Sequence, residues 1–350
     1  MASRRITYLG ESLEIAYIKQ ACQKAQEPRN IVFLHGWGSH KELMHQAFAK
    51  SFADYTHYYI DLPGFGASPY GEELESKVDS SLHAQESRIL DTSDYAHIVL
   101  AFLRELGVRA DIIVGHSFGG KVAVMCGKLD SSCVGDIILL SSAGIVRKKP
   151  LKVRAKIACA KLAKALHIRL PFLRASDAKS LNPTMYSIFK CVVDEDFSPI
   201  FAACRHNVSI FWGRDDTATP LESGEQIHAL IPSSRLFVLE GDHYFFINQA
   251  TRIESMYHSQ AWHIKVCGKV QGVGYRKFAK AKADELALYG STQNLPDGSV
   301  EIFACGSSES LEQFLQALRV GPSRAQVQEV HSEPCTLKQE WLAGEFRILT

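Results

Sequence analysis

Ser117 stands in the stretch Gly115-His116-Ser117-Phe118-Gly119, with a glycine two residues away on either side. A hydroxyl is a weak nucleophile at neutral pH, and it attacks a carbonyl only when a base takes its proton and an acid holds that base. The chain supplies both further on: Asp215 and Asp216 in "FWGRDDTATP", then His243 in "LEGDHYFF". The competing reading of the serine is a tight turn with a capping hydroxyl. A second cluster, "GKVQGVGYRKF" at 268–278, has a different character. Its glycines let successive N–H groups turn toward an anion, and Arg276 adds a planar fork suited to phosphate. It is not a Walker loop, because no Gly-Lys-Ser/Thr follows at the required spacing. Nor is it a dinucleotide fingerprint, because Lys277 takes the third glycine position.

These residues need elements to hold them. Short apolar runs at 31–34, 58–60, 111–114, 137–140, 208–212 and 235–239 read as buried strands. Helical patterns lie between them, notably at 92–106, capped by Asp91, Thr92 or Ser93 and stopped by Gly107, and at 118–129. Continuous apolar strands alternating with helices predict an α/β fold with a mostly parallel sheet covered on both faces. Ser117, the two aspartates and His243 each follow a predicted strand, where catalytic groups collect in such sheets. Residues 5–18 read as an antiparallel hairpin turning near Gly10, 69–91 as a polar surface loop, and 145–205 as an inserted helical segment. Arg147 to Arg174 of that insert carries many Lys and Arg and no acid. It reads as the solvated face of a lid helix, or as a weak attraction to an anionic substrate or lipid surface. After about residue 258 the rhythm restarts as strand–helix–strand–strand–helix–strand, the ferredoxin-like α+β arrangement.

Composition narrows the classes further. The chain has 350 residues, 46% hydrophobic and 22% charged, with net charge +1. No overall field draws it to nucleic acid or membrane, and no apolar stretch approaches the roughly 18 residues of a spanning helix. The N-terminal charges have no apolar core behind them, so no secretory leader is expected. Nine scattered cysteines without a Cys-x-x-Cys pair predict reduced thiols in a cytoplasmic protein and no zinc site.

The motifs carry two resemblances. Residues 1–258 resemble an α/β-hydrolase with a helical cap over about 145–205, through the serine turn, the W-G-x-x-D segment and the late histidine. Residues 259–350 resemble an acylphosphatase domain, because the glycine loop, Arg276, "TQN", "DGSVEI" and "GPSRA" fall in that family's order. The first resemblance implies Ser117 as nucleophile, His243 as base and Asp216, rather than Asp215, as its acid. It implies the N–H groups of Trp37 and Phe118 as oxyanion donors, with His35 bracing their loop. It gives "DLPGFGAS" at 61–68 no catalytic role, and leaves Asp215 and Asp242 as turn or surface residues. His243 follows Gly241-Asp242, where the family more often has a second glycine. The second resemblance implies Arg276 as the phosphoryl ligand and the backbone of Gln271, Gly272, Val273, Gly274 and Tyr275 as its cradle. Asn294 then orients the attacking water. Together they predict a bifunctional hydrolase of small-molecule acyl substrates that needs no metal and no cofactor. One activity cleaves an ester-like bond, with ester, thioester, amide, lactone and carbon–carbon substrates all open; the other hydrolyses acyl phosphates. The competing expectation keeps the serine hydrolase but makes the second domain a non-catalytic docking module for phosphate ligands.

Overall fold

The computed structural model describes residues 2–22, 29–71, 88–146, 182–335 and 346–349. Contacts divide the chain into two compact units, 1–234 with 241–247, and 235–240 with 248–350.

The predicted strand runs all form. After the hairpin β1 (Ala2–Tyr8) and β2 (Glu11–Gln20) come β3 (Arg29–Leu34), β4 (Tyr55–Ile60), β5 (Ala110–His116), β6 (Val134–Leu140), β7 (Val208–Gly213) and β8 (Ser234–Leu239). The hairpin turns at Leu9 and Gly10, both at positive φ, 49° and 84°. The sheet order is β1-β2-β4-β3-β5-β6-β7-β8. The pairs β3/β4, β3/β5, β5/β6 and β6/β7 are parallel, whereas β1/β2 and β2/β4 are antiparallel. Every residue of β4 and β7 is buried, as in strands of a sheet covered on both faces.

Helices cross between the strands. They are α1 (Lys41–Phe48), α2 (Thr92–Glu105) and α3 (Phe118–Leu129), and sequence pattern alone did not single out α1. Asp91 and Asp94 close a capping box at the start of α2, a feature worth about 1 kcal/mol. Of the expected insert, 182–205 carries α4 (Pro183–Val193), capped by Asn182, and α5 (Ser198–Ala202). The basic stretch 147–174 and positions 72–87 of the expected surface loop lie outside the described residues. Beyond β7, α6 (Leu221–Leu230) precedes β8.

Register places the site. Leu34 pairs with Gly115, Gly115 with Leu139, His116 with Leu140, and Leu140 with Phe211. The chain therefore leaves β3, β5, β6 and β7 at one edge. His35–Trp37, Ser117, Ser141 and the Gly213–Asp216 turn all emerge there.

The second unit contains α7 (Ala250–Tyr257), β9 (Gln260–Lys269), α8 (Tyr275–Glu285), β10 (Tyr289–Asn294), β11 (Val300–Gly306), α9 (Ser308–Val320), β12 (Gln326–Pro334) and β13 (Arg347–Ile348). Its sheet runs β12-β9-β11-β10-β13, antiparallel except for β10/β13. Ile264, Val266, Val300 and Ile302 from the sheet pack with Ala279, Leu311 and Phe314 from the helices. Helix α8 stops at Glu285, because Ala287 turns to φ 53° and Leu288 N–H donates to Ala283.

Candidate active sites

Ser117 sits between the end of β5 and the start of α3 at φ 50°, ψ −113°, a left-handed conformation that an L-residue adopts only under constraint. The glycines around it are required by space. A Cβ on Gly115 would lie 2.3 Å from the Gly119 carbonyl oxygen, and one on Gly119 would lie 2.5 Å from the Leu34 carbonyl oxygen. Gly120 is equally confined, with Ser142 Oγ at 2.3 Å. The Ser117 N–H donates to Leu140 and its carbonyl accepts from Gly120 and Ala143, so the backbone is pinned while the residue stays half-exposed.

Asp216 and His243 meet. Nδ1 of His243 lies 2.8 Å from Asp216 Oδ2, while Oδ1 accepts from the N–H groups of Ala218 (2.9 Å) and Thr219 (2.8 Å). Burial pushes the Asp216 carboxyl up, but hydrogen bonds from His243 and the Thr219 backbone outweigh it and hold it down to about 2. With Nδ1 carrying a proton to the carboxylate, Nε2 of His243 keeps its lone pair. Asp215 is exposed, as expected of a turn residue. Ser117 Oγ makes no side-chain hydrogen bond among the described residues. His243 is nonetheless close to the serine turn: its ring lies 4.7 Å from that of His116, and its carbonyl accepts from His116 Nε2 at 3.0 Å. Catalytic hydrogen bonds commonly tighten only when substrate is bound.

The expected oxyanion donors are available. The N–H groups of Trp37 and Phe118 donate to no backbone carbonyl among the described residues. A Cβ on Gly36 would lie 3.2 Å from Ser117 Cβ, so the Trp37 loop runs against the nucleophile. His35 braces that loop. It is fully buried, accepts from Leu62 N–H at Nε2 (3.1 Å), and donates from Nδ1 to the Gly36 carbonyl (2.8 Å). Burial holds it neutral, with its pKa lowered to about 4. The 61–68 loop is tied down by the buried Asp61, whose carboxylate meets Lys41 Nζ at 2.6 Å and the Lys41 N–H at 2.7 Å.

In the second unit, Gly272 and Gly274 both take positive φ, 72° and 83°, and Gly274 opens α8. None of the N–H groups from Gln271 to Arg276 donates to a backbone carbonyl among the described residues. Donors left without backbone acceptors at a helix N-terminus suit an anion. Arg276 is half-exposed and spends one N–H, from Nη1, on the Leu349 carbonyl at 2.9 Å. The Gln271 side chain donates to the carbonyls of Leu295 and Ser299, each at 2.8 Å. That bond ties the loop to the turn following Asn294, which ends β10 and is exposed. Tyr275 contributes only its N–H to the loop, because its ring is buried and its hydroxyl donates to Leu318.

A model of the alpha/beta hydrolase family matches residues 31–256, and an acylphosphatase model matches 262–348. The acylphosphatase of Chlorobaculum tepidum is 42% identical over 88 residues, which are 25% of this chain and 94% of that protein. The acylphosphatase of Thermus thermophilus is 57% identical over 65 residues, 19% of this chain and 74% of that protein. The chain belongs to the alpha/beta hydrolase family and, in its C-terminal part, to the acylphosphatase family. A thermophilic esterase from Thermogutta terrifontis shares the hydrolase fold, with a TM-score of 0.53 at 16% identity over 73% of this chain and 96% of that one. Family membership makes this a hydrolase in both parts. Among the described residues no helix is long and apolar enough to cross a membrane, and no group of three or more His, Cys, Asp or Glu could hold a metal ion.

Several residues of the hydrolase site were not read from sequence. His116 is buried, and burial together with the neighbouring His243 lowers its pKa to about 3, so it clamps the His243 backbone as a neutral donor. Lys121, one turn beyond Ser117, is buried and donates to the Val192 carbonyl (2.6 Å) and to Glu195 Oε2 (2.7 Å). Glu195 in turn bonds Thr92 at the start of α2. Nothing in the local pattern marks Lys121, because its partners lie far along the chain. Thr219 had a signal: it falls three residues after Asp216, where an Asx-type turn brings a side chain back to the carboxylate.

Proposed function

We propose that the chain is a bifunctional acyl hydrolase with two independent sites, divided between residues 258 and 259 so that β8 stays with the large sheet. In the first, His243 Nε2 takes the proton of Ser117 as Oγ attacks an ester-like carbonyl. Asp216 holds the resulting imidazolium, and the N–H groups of Trp37 and Phe118 receive the oxyanion. Collapse gives an acyl-enzyme as the imidazolium returns its proton to the leaving alcohol or thiol, and water activated by the neutral His243 then frees the acid and regenerates Ser117. The observation that carries this reading is the Asp216–His243 hydrogen bond of 2.8 Å beside a serine held at φ 50°.

In the second site, Arg276 and the N–H groups of 271–276 grip the phosphoryl oxygens of an acyl phosphate. Asn294 orients a water for attack on phosphorus. The leaving group is a carboxylate, already stable as an anion, so positioning and charge neutralisation carry the step without a strong base. The free donors of the 271–276 loop support this assignment. Cys126, Cys133, Cys191, Cys204, Cys267 and Cys305 carry free thiols, which fits a reducing, cytoplasmic setting.

A fluorophosphonate probe is expected to label the wild type and spare Ser117→Ala, and equal labelling would remove the serine assignment. Purified protein in EDTA is expected to hydrolyse benzoyl phosphate, and Arg276→Ala to lose that activity. Retention in the variant would remove the phosphate assignment.

A further inference from the structure

Thr219 is held on every side. Its N–H donates to Asp216 Oδ1 at 2.8 Å, and its carbonyl accepts from Trp212 Nε1 at 2.7 Å. The side chain is therefore aimed with little freedom, and its Oγ1 has three polar neighbours: Asp216 Oδ2 at 2.9 Å, the Ser141 carbonyl at 3.1 Å and His243 Nδ1 at 3.2 Å. A hydroxyl has one proton and two lone pairs. Nδ1 already carries a proton toward Oδ2, so Oγ1 can only accept from it. Its own proton must go either to Asp216 or to Ser141.

We infer that Thr219 is a positioning residue whose hydroxyl works as a two-position rotor in step with His243. This rests on the triad reading proposed above. While His243 is neutral, the hydroxyl donates to Asp216 Oδ2 and fixes the carboxylate that orients the imidazole. When His243 takes the Ser117 proton, Oδ2 is drawn to the imidazolium. The hydroxyl turns its proton to the Ser141 carbonyl and presents a lone pair to Nδ1–H. No proton leaves Oγ1 and no bond is broken; an oxygen dipole reorients toward a new positive charge in a partly dry site, where such dipoles count most. The groups facing His243 are Asp216 (2.8 Å), the neutral His116 ring (centroids 4.7 Å apart) and the Tyr244 ring (5.4 Å). Among these, Asp216 supplies the negative charge, and the Thr219 hydroxyl is an uncharged acceptor on the same Nδ1 side.

Thr219→Val keeps the shape and removes the hydroxyl, whereas Thr219→Ser keeps the hydroxyl. With p-nitrophenyl acetate as the probe, kcat and KM are measured across pH for both. Thr219→Val is expected to lower kcat about 10- to 100-fold with KM unchanged, the size of one hydrogen bond to a charged group. The acidic limb of its kcat/KM profile moves to lower pH, because the imidazolium has lost an acceptor. Thr219→Ser is expected to stay within about threefold of wild type with its limb in place, and a cooperative urea transition like that of wild type to report an intact hydrolase unit in both. A Thr219→Val enzyme with wild-type kcat and an unmoved limb overturns the inference, as does failure of Ser to rescue, which would mean packing alone. Ser117→Ala separates the two layers. If it abolishes turnover while Thr219→Val is normal, only the rotor falls; if it retains turnover, the triad reading falls with it.

Discussion

The two candidate sites have opposite architectures. The hydrolase site is assembled from the ends of β3, β5, β6 and β7 and the loop carrying His243, and several of its parts are buried: His35, Asp61, His116 and Asp216. The proposed phosphate loop is one short stretch of backbone at a helix start, with Gly272 and Gly274 exposed and Arg276 half-exposed. The difference suits the leaving groups of the two reactions proposed above. Breaking an ester needs a nucleophile made from a poor one, hence a base and an acid kept in register by a whole sheet. An acyl phosphate needs a grip on oxygens and a placed water, and one loop can supply that.

The largest test of the contrast is Asp216→Asn. It keeps the shape but lets the imidazole adopt the wrong tautomer, so esterase kcat is expected to fall about 10^4-fold while benzoyl phosphate turnover is unchanged. Comparable losses of both activities, followed side by side on one preparation, would mean the sites are not independent.

Glycines separate the two designs next. Gly119→Ala places a Cβ 2.5 Å from the Leu34 carbonyl oxygen, against backbone that cannot yield. Urea unfolding should show a loss near 3 kcal/mol, the upper end of about 1–3 for overpacking, together with loss of esterase activity. Gly274→Ala meets nothing within 4 Å and suffers only from its φ of 83°. It is expected to cost about 1–2 kcal/mol and to raise KM for benzoyl phosphate as the loop relaxes.

The smallest effect is one of pH. His35 and His116 are buried and neutral, with pKa values lowered to about 4 and about 3. An unfolded histidine titrates near 6.5, so below that pH the unfolded chain binds more protons than the folded one. Stability of the hydrolase unit is full above pH 6.5 and is lost as pH falls toward 4 and 3. Each such histidine adds a slope of up to about 1.4 kcal/mol per pH unit. Thermal melts of His116→Gln should show a shallower decline between pH 6 and 4; an unchanged slope would mean His116 is not held neutral by the fold.

Much of this was legible in sequence because it is local. Apolar runs with no alternation announced β3 through β8, since a parallel sheet buries both faces, and α3 begins and ends where its pattern said. Ser117, Asp216 and His243 could be placed because each follows a strand. Gly272, Gly274 and Arg276 could be placed because their loop is continuous in the chain. What could not be read is what long-range packing decides. Lys121 looks like any helical lysine until Val192 and Glu195 are brought over it, and His116 looks like a spacer until the His243 carbonyl arrives at 3.0 Å. Thr219 is intermediate, in the right place by spacing yet mute about Ser141 and His243.

The most direct test of two separable active sites is a crossed assay of Ser117→Ala and Arg276→Ala against p-nitrophenyl acetate and benzoyl phosphate. The account predicts that Ser117→Ala loses only ester turnover and Arg276→Ala loses only acyl-phosphate turnover. Ester turnover surviving in Ser117→Ala, acyl-phosphate turnover surviving in Arg276→Ala, or one substitution silencing both reactions in a folded chain would contradict it.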